Sequence, residues 1–208
     1  MDLSIFHLFC NMFTGIVETL GTVVSIERQQ QNITFGIACD FLSELKVDQS
    51  VSHNGVCLTV TEIFAGHYVV TAVAETLSKT NLGNWQVGSR VNLERCLPLN
   101  GRFDGHIVQG HVDSPGRLIS IDDLEGSWKL TFSYESSAGI TVEKGSICVN
   151  GVSLTVVDSR PGQFSVVIIP YTWQHTNLSL LMPGHSVNLE FDILGKYVQK
   201  MLEQGNYR

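Results

Sequence analysis

Charge is what this chain has least of. Charged side chains make up 16% of its 208 residues, against roughly a quarter in an average globular protein. Thirteen are basic and twenty acidic, a formal net charge of −7. Nucleic-acid backbones are gripped through many Lys and Arg contacts, so this balance argues against nucleic acid as a partner. No apolar run approaches the ~20 residues of a membrane-spanning helix, and no membrane partner is expected. The five cysteines, Cys10, Cys39, Cys57, Cys96 and Cys148, are odd in number and widely spaced, with no Cys-x-x-Cys. That speaks against a disulfide scaffold and a thiolate zinc site, and makes a reducing, cytoplasmic compartment the expected one. A dinucleotide-binding glycine loop, a Gly-x4-Gly-Lys-Ser/Thr phosphate loop and a Gly-x-Ser-x-Gly elbow are all missing. Residues 1–11 are mildly apolar but lack a basic start and a small-residue cleavage site, so they read as an extension ahead of a start at Met12.

What the chain does have is apolar side chains (43%) and nineteen glycines, the composition of a folded, turn-rich domain with a sizeable core. It also contains itself twice. Asn54-Gly55-Val56-Cys57-Leu58-Thr59-Val60 returns 96 residues later as Asn150-Gly151-Val152-Ser153-Leu154-Thr155-Val156. The same offset pairs Thr80-Asn81-Leu82 with Thr176-Asn177-Leu178, and Val91-Asn92-Leu93-Glu94 with Val187-Asn188-Leu189-Glu190. Near the start the offset is 95, matching Gly15 with Gly110 and Val17 with Val112. One register held through the chain is the mark of duplication, with the boundary near Gly105.

Each copy reads as strand. Thr22 to Ile26, Ile33 to Cys39, Ser50 to His53, Leu58 to Phe64, Tyr68 to Val73 and Arg90 to Arg95 are short, rich in Val, Ile and Thr, and several alternate apolar with polar. Arg117 to Ile121, Trp128 to Tyr134, Ser146 to Val149, Leu154 to Asp158, Phe164 to Ile169 and Ser186 to Phe191 repeat the pattern. Asn-Gly between two such runs tolerates the positive φ angles of a tight hairpin. Six short strands per copy predict a small closed barrel, which also removes exposed edges. Asp40 to Leu45, Glu75 to Thr80 and Thr172 to His175 can each form a helical turn. At the tail, Ile193, Leu194, Tyr197, Val198, Met201 and Leu202 form an apolar stripe behind Asp192 as cap. It either packs on its own barrel or mediates self-association.

Two similar barrels predict two similar pockets, suited to two copies of one ligand. Positions that differ between the copies then break the symmetry: Cys57 against Ser153, His53 against Val149, Glu75 against Tyr171, Ile16 against His111. Each has a plainer reading. Thr59 and Thr155 are strand residues, Cys57 a small apolar filler and Lys144 a solvated turn residue. His106 and His111 lack the carboxylate of a recognised metal spacing, so no metal is expected. The run Gly105-His106 to Gly110-His111 lets backbone approach a ligand closely.

Met12-Phe13-Thr14-Gly15-Ile16-Val17-Glu18 resembles the N-terminal signature of riboflavin synthases. The resemblance runs on through His53 to Val60, Glu75-Thr76-Leu77, Thr80-Asn81-Leu82-Gly83, Gly105-His106 with Gly110-His111, and Gly151 to Val156, covering about residues 12–202. It implies an all-β chain: a lumazine-binding Greek-key barrel of six strands over 12–105, a second over 106–192, and a helix and tail over 193–208 that joins a homotrimer. It implies dismutation of two 6,7-dimethyl-8-ribityllumazine molecules, giving riboflavin and 5-amino-6-(ribitylamino)uracil, with no cofactor and with lumazine synthase as an associated protein. Carried over by motif, one pocket takes Gly15, Ile16 and Val17, then Cys57, Leu58 and Thr59, then Thr71, Ala72, Val73, Ala74, Glu75 and Thr76. The other takes Gly110, His111 and Val112, Lys144, Ser153, Leu154 and Thr155, then Ile168, Ile169, Pro170, Tyr171, Thr172 and Trp173. Lys144 alone breaks the repeat, standing opposite Asp48. His111, Cys57, Ser50, Ser153 and Asp192 are the candidate proton-transfer and nucleophile-activating groups.

The competing readings are a non-catalytic, antenna-type lumazine or flavin carrier and a flavin-reductase barrel, for which the chain has no nucleotide-binding partner domain. A purely structural double barrel would leave the repeated Thr-Asn-Leu and Gly-x-His elements unexplained.

Overall fold

The computed structural model describes residues 12–98 and 100–205, so the expected extension over 1–11 lies outside the described residues. Strands β1 (Thr19–Gln29), β2 (Asn32–Ala38), β3 (Ser50–His53), β4 (Val56–Ile63), β5 (Tyr68–Ala72) and β6 (Arg90–Arg95) close into a barrel in the order β1-β2-β5-β4-β3-β6. Strands β7 (Ser114–Asp123), β8 (Trp128–Ser133), β9 (Ser146–Val149), β10 (Val152–Arg160), β11 (Gln163–Ile168) and β12 (Ser186–Phe191) close a second barrel by the same circuit. The period-two pattern does what it predicts. Along β5, Tyr68, Val70 and Ala72 point inward and are buried, while Val69 and Thr71 between them are half-exposed. Bulges interrupt the register at Val23/Ser25 and Val60/Glu62, and again at Leu118/Ser120 and Val156/Asp158. A bulge sharpens local twist, which helps so few strands curl shut. The bulge also explains why β1 runs well beyond the alternating stretch Thr22 to Ile26: one extra residue breaks the alternation without ending the strand.

Short helices cap one end of each barrel: α1 (Ala74–Lys79) and α2 (Pro170–His175), followed by 3-10 turns at Leu82–Asn84 and Asn177–Leu180. The helical turn expected over Asp40 to Leu45 shrinks to a 3-10 turn at Leu42–Glu44. The final helix, α3 (Ile193–Glu203), starts where the Asp192 carboxylate accepts the Leu194 N–H at 3.0 Å. Its Lys196 reaches Asp113 at 2.7 Å. Of the two readings of its apolar stripe, packing onto its own barrel is not the one seen: Leu194, Tyr197, Val198, Met201 and Leu202 are exposed, while Lys196, Gln199 and Lys200 line a groove with Ala138, Gly139 and Phe191.

Each barrel has its own apolar core, and the two meet along a pseudo-twofold seam built by repeat-related residues on each other. Phe13 and its counterpart Val108 pair as an antiparallel bridge. The hairpin turns touch back to back. Asn54 and Gly55 take φ of 48° and 80°, Asn150 and Gly151 47° and 78°, and a Cβ on Gly55 would lie 2.9 Å from the Gly151 nitrogen. Around them lies a buried belt of asparagines. Asn92 donates to the Asn150 carbonyl at 2.8 Å and Asn188 to the Asn54 carbonyl at 2.9 Å. Asn177 N–H donates to Asn92 Oδ1, and Asn81 N–H to Asn188 Oδ1, both at 2.7 Å. The repeated Asn-Gly, Thr-Asn-Leu and Val-Asn-Leu-Glu elements are therefore explained by structure. That corrects the expectation that a structural role would leave Thr-Asn-Leu unaccounted for. Asparagine suits the seam because one side chain both donates and accepts, satisfying buried backbone groups on both barrels.

Candidate functional site

The rim of each barrel is built from the same parts. In barrel 1, Cys57, Leu58 and Thr59 lie on β4, and Thr71 and Ala72 end β5; Val73, Ala74, Glu75 and Thr76 turn into α1. In barrel 2, Ser153, Leu154 and Thr155 lie on β10 and Ile168 ends β11; Ile169, Pro170, Tyr171, Thr172 and Trp173 turn into α2. Thr59 and Thr155 face outward, as do Val73, Ile169 and Tyr171, so both rims present apolar and hydroxyl groups to solvent. Trp173 stacks on Trp128, their ring centroids 4.5 Å apart.

The opening segments do not join the rims that chain order predicts. Gly15 was expected with Cys57 and Thr59, but its carbonyl accepts the Ser153 N–H at 2.7 Å, and Val17 packs against barrel 2. Reciprocally, the Gly110 carbonyl accepts the Cys57 N–H at 2.9 Å, and Val112 packs against barrel 1. The physical reason is closeness. A Cβ on Gly15 would lie 2.7 Å from that of Ser153, and one on Gly110 2.5 Å from that of Cys57, so each segment reaches the neighbouring barrel only because its side chain is missing. An open groove of about 560 Å³ follows the first crossing, lined by Val17, Glu18, Cys39, Asp40 and Arg90 from barrel 1 and Tyr171, Gln174 and His175 from α2.

The polar groups differ between rims. The half-buried Cys57 thiol is pushed up by burial and drawn partly back by its bond to the Ser50 side chain, so it stays protonated. At the equivalent place Ser153 Oγ lies 2.7 Å from His106 Nδ1. Burial lowers the His106 pKa and keeps the ring neutral, with Asp192 opposing weakly. Its Nε2 has no hydrogen-bond partner among the described residues. His111 is exposed at its side chain and held by its backbone. Lys144 is an exposed turn residue with φ of 65°, and its N–H donates to the Val156 carbonyl beside Thr155. Its counterpart Asp48 bonds Val60 in the same way. His53 stands apart from both rims. It is inside barrel 1, bonded to Tyr68 Oη at 2.7 Å, with its pKa lowered to about 4 by burial.

Three polar groups beside the rims are not reached by reading the sequence. His106 stands out in the Gly-His run, but its repeat counterpart is Asn11, so the repeat pairs it with no second polar rim group. Glu94 and Glu190 close the repeated Val-Asn-Leu-Glu, an acid at the end of a run of buried strand residues. That context alone predicts a carboxylate needing internal partners.

Family and structure comparisons agree with this architecture. The lumazine binding domain family matches the chain twice, over residues 14–96 and 109–192. A riboflavin synthase of Actinobacillus pleuropneumoniae is 41% identical over 193 residues, covering 92% of this chain and 90% of that one. One of Bacillus subtilis is 36% identical, covering 94% and 92%, and one of Mycobacterium tuberculosis 40% identical, covering 92% and 98%. A crystal structure of LumP complexed with 6,7-dimethyl-8-(1'-D-ribityl)lumazine has a TM-score of 0.79 at 22% identity, covering 86% of this chain and 98% of that one. That likeness is one of fold.

Proposed function

The chain belongs to the riboflavin synthase family, and on that premise we propose that its two rims each hold one 6,7-dimethyl-8-ribityllumazine. A four-carbon unit passes from one molecule to the other, leaving riboflavin and 5-amino-6-(ribitylamino)uracil. The enzyme is a transferase of riboflavin biosynthesis. The observation that carries the reading is the pair of equivalently built rims that differ in their central polar group, Cys57 with Ser50 in one and Ser153 with His106 in the other. One ligand recognised twice, in two different proton environments, is what a dismutation needs.

The chemistry follows from those groups. The acidic 7-methyl of one lumazine must lose a proton, and a hydroxyl-type nucleophile must add to the ring of the other. Neutral His106 can take the Ser153 proton through Nδ1, making Ser153 the activating hydroxyl. The protonated Cys57 thiol, polarised by Ser50, donates a hydrogen bond to its own ligand. Positioning two rings against each other contributes more than either group. In this reading one ligand touches Cys57 to Thr59, Thr71 to Thr76 and Gly110 to Val112. The other touches Ser153 to Thr155, Ile168 to Trp173 and Gly15 to Val17. His111, Lys144 and Asp192 complete the polar set. Residues 12–105 and 106–192 are the two lumazine-binding units, with 1–11 preceding them, and 193–208 form the oligomerisation segment. The exposed stripe of α3 supports a homotrimer. A cytoplasmic setting and association with lumazine synthase complete the proposal on family grounds.

The test is anaerobic incubation with the lumazine and no other reagent, followed by chromatography. Both products in equal amounts are expected. Tight binding with neither product would make the protein a carrier and overturn the reading.

A further inference from the structure

We infer that Glu94 and Glu190 are positioning residues, each shaping the rim of the barrel to which it does not belong. Glu94 closes β6 of barrel 1 and Glu190 β12 of barrel 2, both almost fully buried. A buried carboxylate is costly unless its oxygens are met by donors, and here both are. Glu94 Oε1 accepts the Thr14 N–H at 2.6 Å and the Thr14 hydroxyl at 2.8 Å; its Oε2 accepts the Gly15 N–H at 2.9 Å. Glu190 Oε1 accepts the Gln109 N–H at 2.7 Å; its Oε2 accepts the Gly110 and His111 N–H groups at 3.0 Å. Bonds this short are directional, and a two-oxygen fork on adjacent amides fixes the backbone in angle as well as distance.

What is fixed then crosses the seam. Gly15, gripped by Glu94, presents its carbonyl to the Ser153 N–H in barrel 2, and Gly110, gripped by Glu190, presents its carbonyl to the Cys57 N–H in barrel 1. The two residues that distinguish the rims thus each have their backbone set by a carboxylate of the other half, through a glycine with no side chain to interfere. Fold stability alone would not require the arrangement to be crossed in both directions, nor the acid to end at the amide next to the distinguishing residue. The functional weight of the inference rests on the reading in which Ser153 and Cys57 face the two ligands.

The test compares Glu94→Gln and Glu190→Gln, which keep shape but turn one acceptor oxygen of the fork into an amide donor, with Thr14→Val, which removes one donor to Glu94. Backbone amide resonances of Cys57 and Ser153 in the full chain report each rim separately, and steady-state kinetics report the reaction. Glu190→Gln is expected to shift the Cys57 and His111 amides and spare Ser153. Glu94→Gln and Thr14→Val are expected to shift Ser153 and spare Cys57. In the two Gln variants kcat falls by about tenfold to a hundredfold, with KM changing less. Shifts confined to each carboxylate's own barrel, or folded variants with both amides and kcat unchanged, would overturn the inference. Should Glu94→Gln fail to fold, an unmoved Ser153 amide in Thr14→Val overturns the Glu94 half. Absence of turnover in the unaltered protein would instead defeat the reading of function, while the amide pattern still decides the crossed positioning.

Discussion

Barrel 1 and barrel 2 agree most closely where buried side chains bond across the seam, and differ most in their cores and rims. The seam repeats almost residue for residue: Asn54 with Asn150, Asn92 with Asn188, Gly55 with Gly151, Glu94 with Glu190. A side chain that bonds the other barrel across the seam, as Asn92 bonds Asn150 and Asn188 bonds Asn54, cannot change alone without stranding a buried donor or acceptor. The rims and cores are under no such mutual constraint. Cys57 of one rim is replaced by Ser153 in the other, and the buried pair His53–Tyr68 by Val149 and Phe164. That core exchange is balanced: a hydrogen-bonded polar pair in one barrel, two apolar groups in the other, each fully satisfied. Conserved twins mark the joint, and divergent twins mark the places free to specialise.

The comparison can be broken first at the seam. Asn92→Leu removes bonds to Asn150 and Asn177 and is expected to cost about 3–5 kcal/mol in chemical denaturation. Its twin Asn188→Leu should cost about 1 kcal/mol less, because the amide oxygen of Asn81 has no bond there among the described residues, whereas that of Asn177 accepts from Asn92. Equal costs would mean the seam is more symmetric than its hydrogen bonds.

Next come two buried titrating groups of barrel 1, His53 and Glu94. His53, lowered from 6.5 to about 4, is neutral in the fold, so its contribution is present above pH 6.5 and lost as pH falls towards 4. Glu94, raised from 4.5 to about 7 by burial, acts the other way: its contribution is full below pH 4.5 and lost as pH rises through 7. The two oppose each other between about pH 4.5 and 6.5. Replacing the pair by barrel 2's solution, His53→Val with Tyr68→Phe, removes the opposing His53 titration and leaves His106, also lowered by burial, against Glu94 and Glu190, both raised by it. Stability of that variant should then fall more steeply from pH 4.5 to 7 than that of the unaltered protein, measured by urea titration at stepped pH. His53→Val alone strands the Tyr68 hydroxyl and should be less stable than the double variant.

At the rims, Ser153→Ala should lower kcat about a hundredfold by removing the hydroxyl that His106 addresses. Cys57→Ser should keep partial activity within about tenfold, and Cys57→Ala should lose most of it. Near-normal turnover in both Cys57 variants would confine the asymmetry to barrel 2. The smallest effects belong to the surface ion pairs. Arg95 bridges Glu18 and Glu44 in barrel 1, while in barrel 2 Lys196 of α3 serves Asp113, the counterpart of Glu18. Arg95→Ala and Lys196→Ala should each cost at most about 1 kcal/mol, the second also loosening α3 in hydrogen exchange.

The strands and the Asn-Gly turns were legible because each depends on local rules: alternation along Tyr68 to Ala72, and positive φ at Asn54 and Gly55. So was the start of α3, since Asp192 caps from the preceding residue. The joining of Gly15 to Ser153 was not, because chain order puts Gly15 with Cys57 and only the folded seam reverses that. The direction of the α3 stripe was equally hidden. Leu194 and Tyr197 look alike in sequence whether they meet a barrel or face outward.

The seam has a historical consequence. The main bonds across it come in reciprocal pairs, Asn92 to Asn150 matched by Asn188 to Asn54 and Asn177 to Asn92 matched by Asn81 to Asn188, which is the signature of an isologous homodimer rather than of two domains that evolved to fit. An ancestral gene half this length could have made the same joint with a second copy of itself, but both ligand cavities would then have been identical. Fusion into one chain keeps the joint and lets one cavity hold a thiol and the other a serine, so covalent linkage here secures chemical inequality more than cohesion.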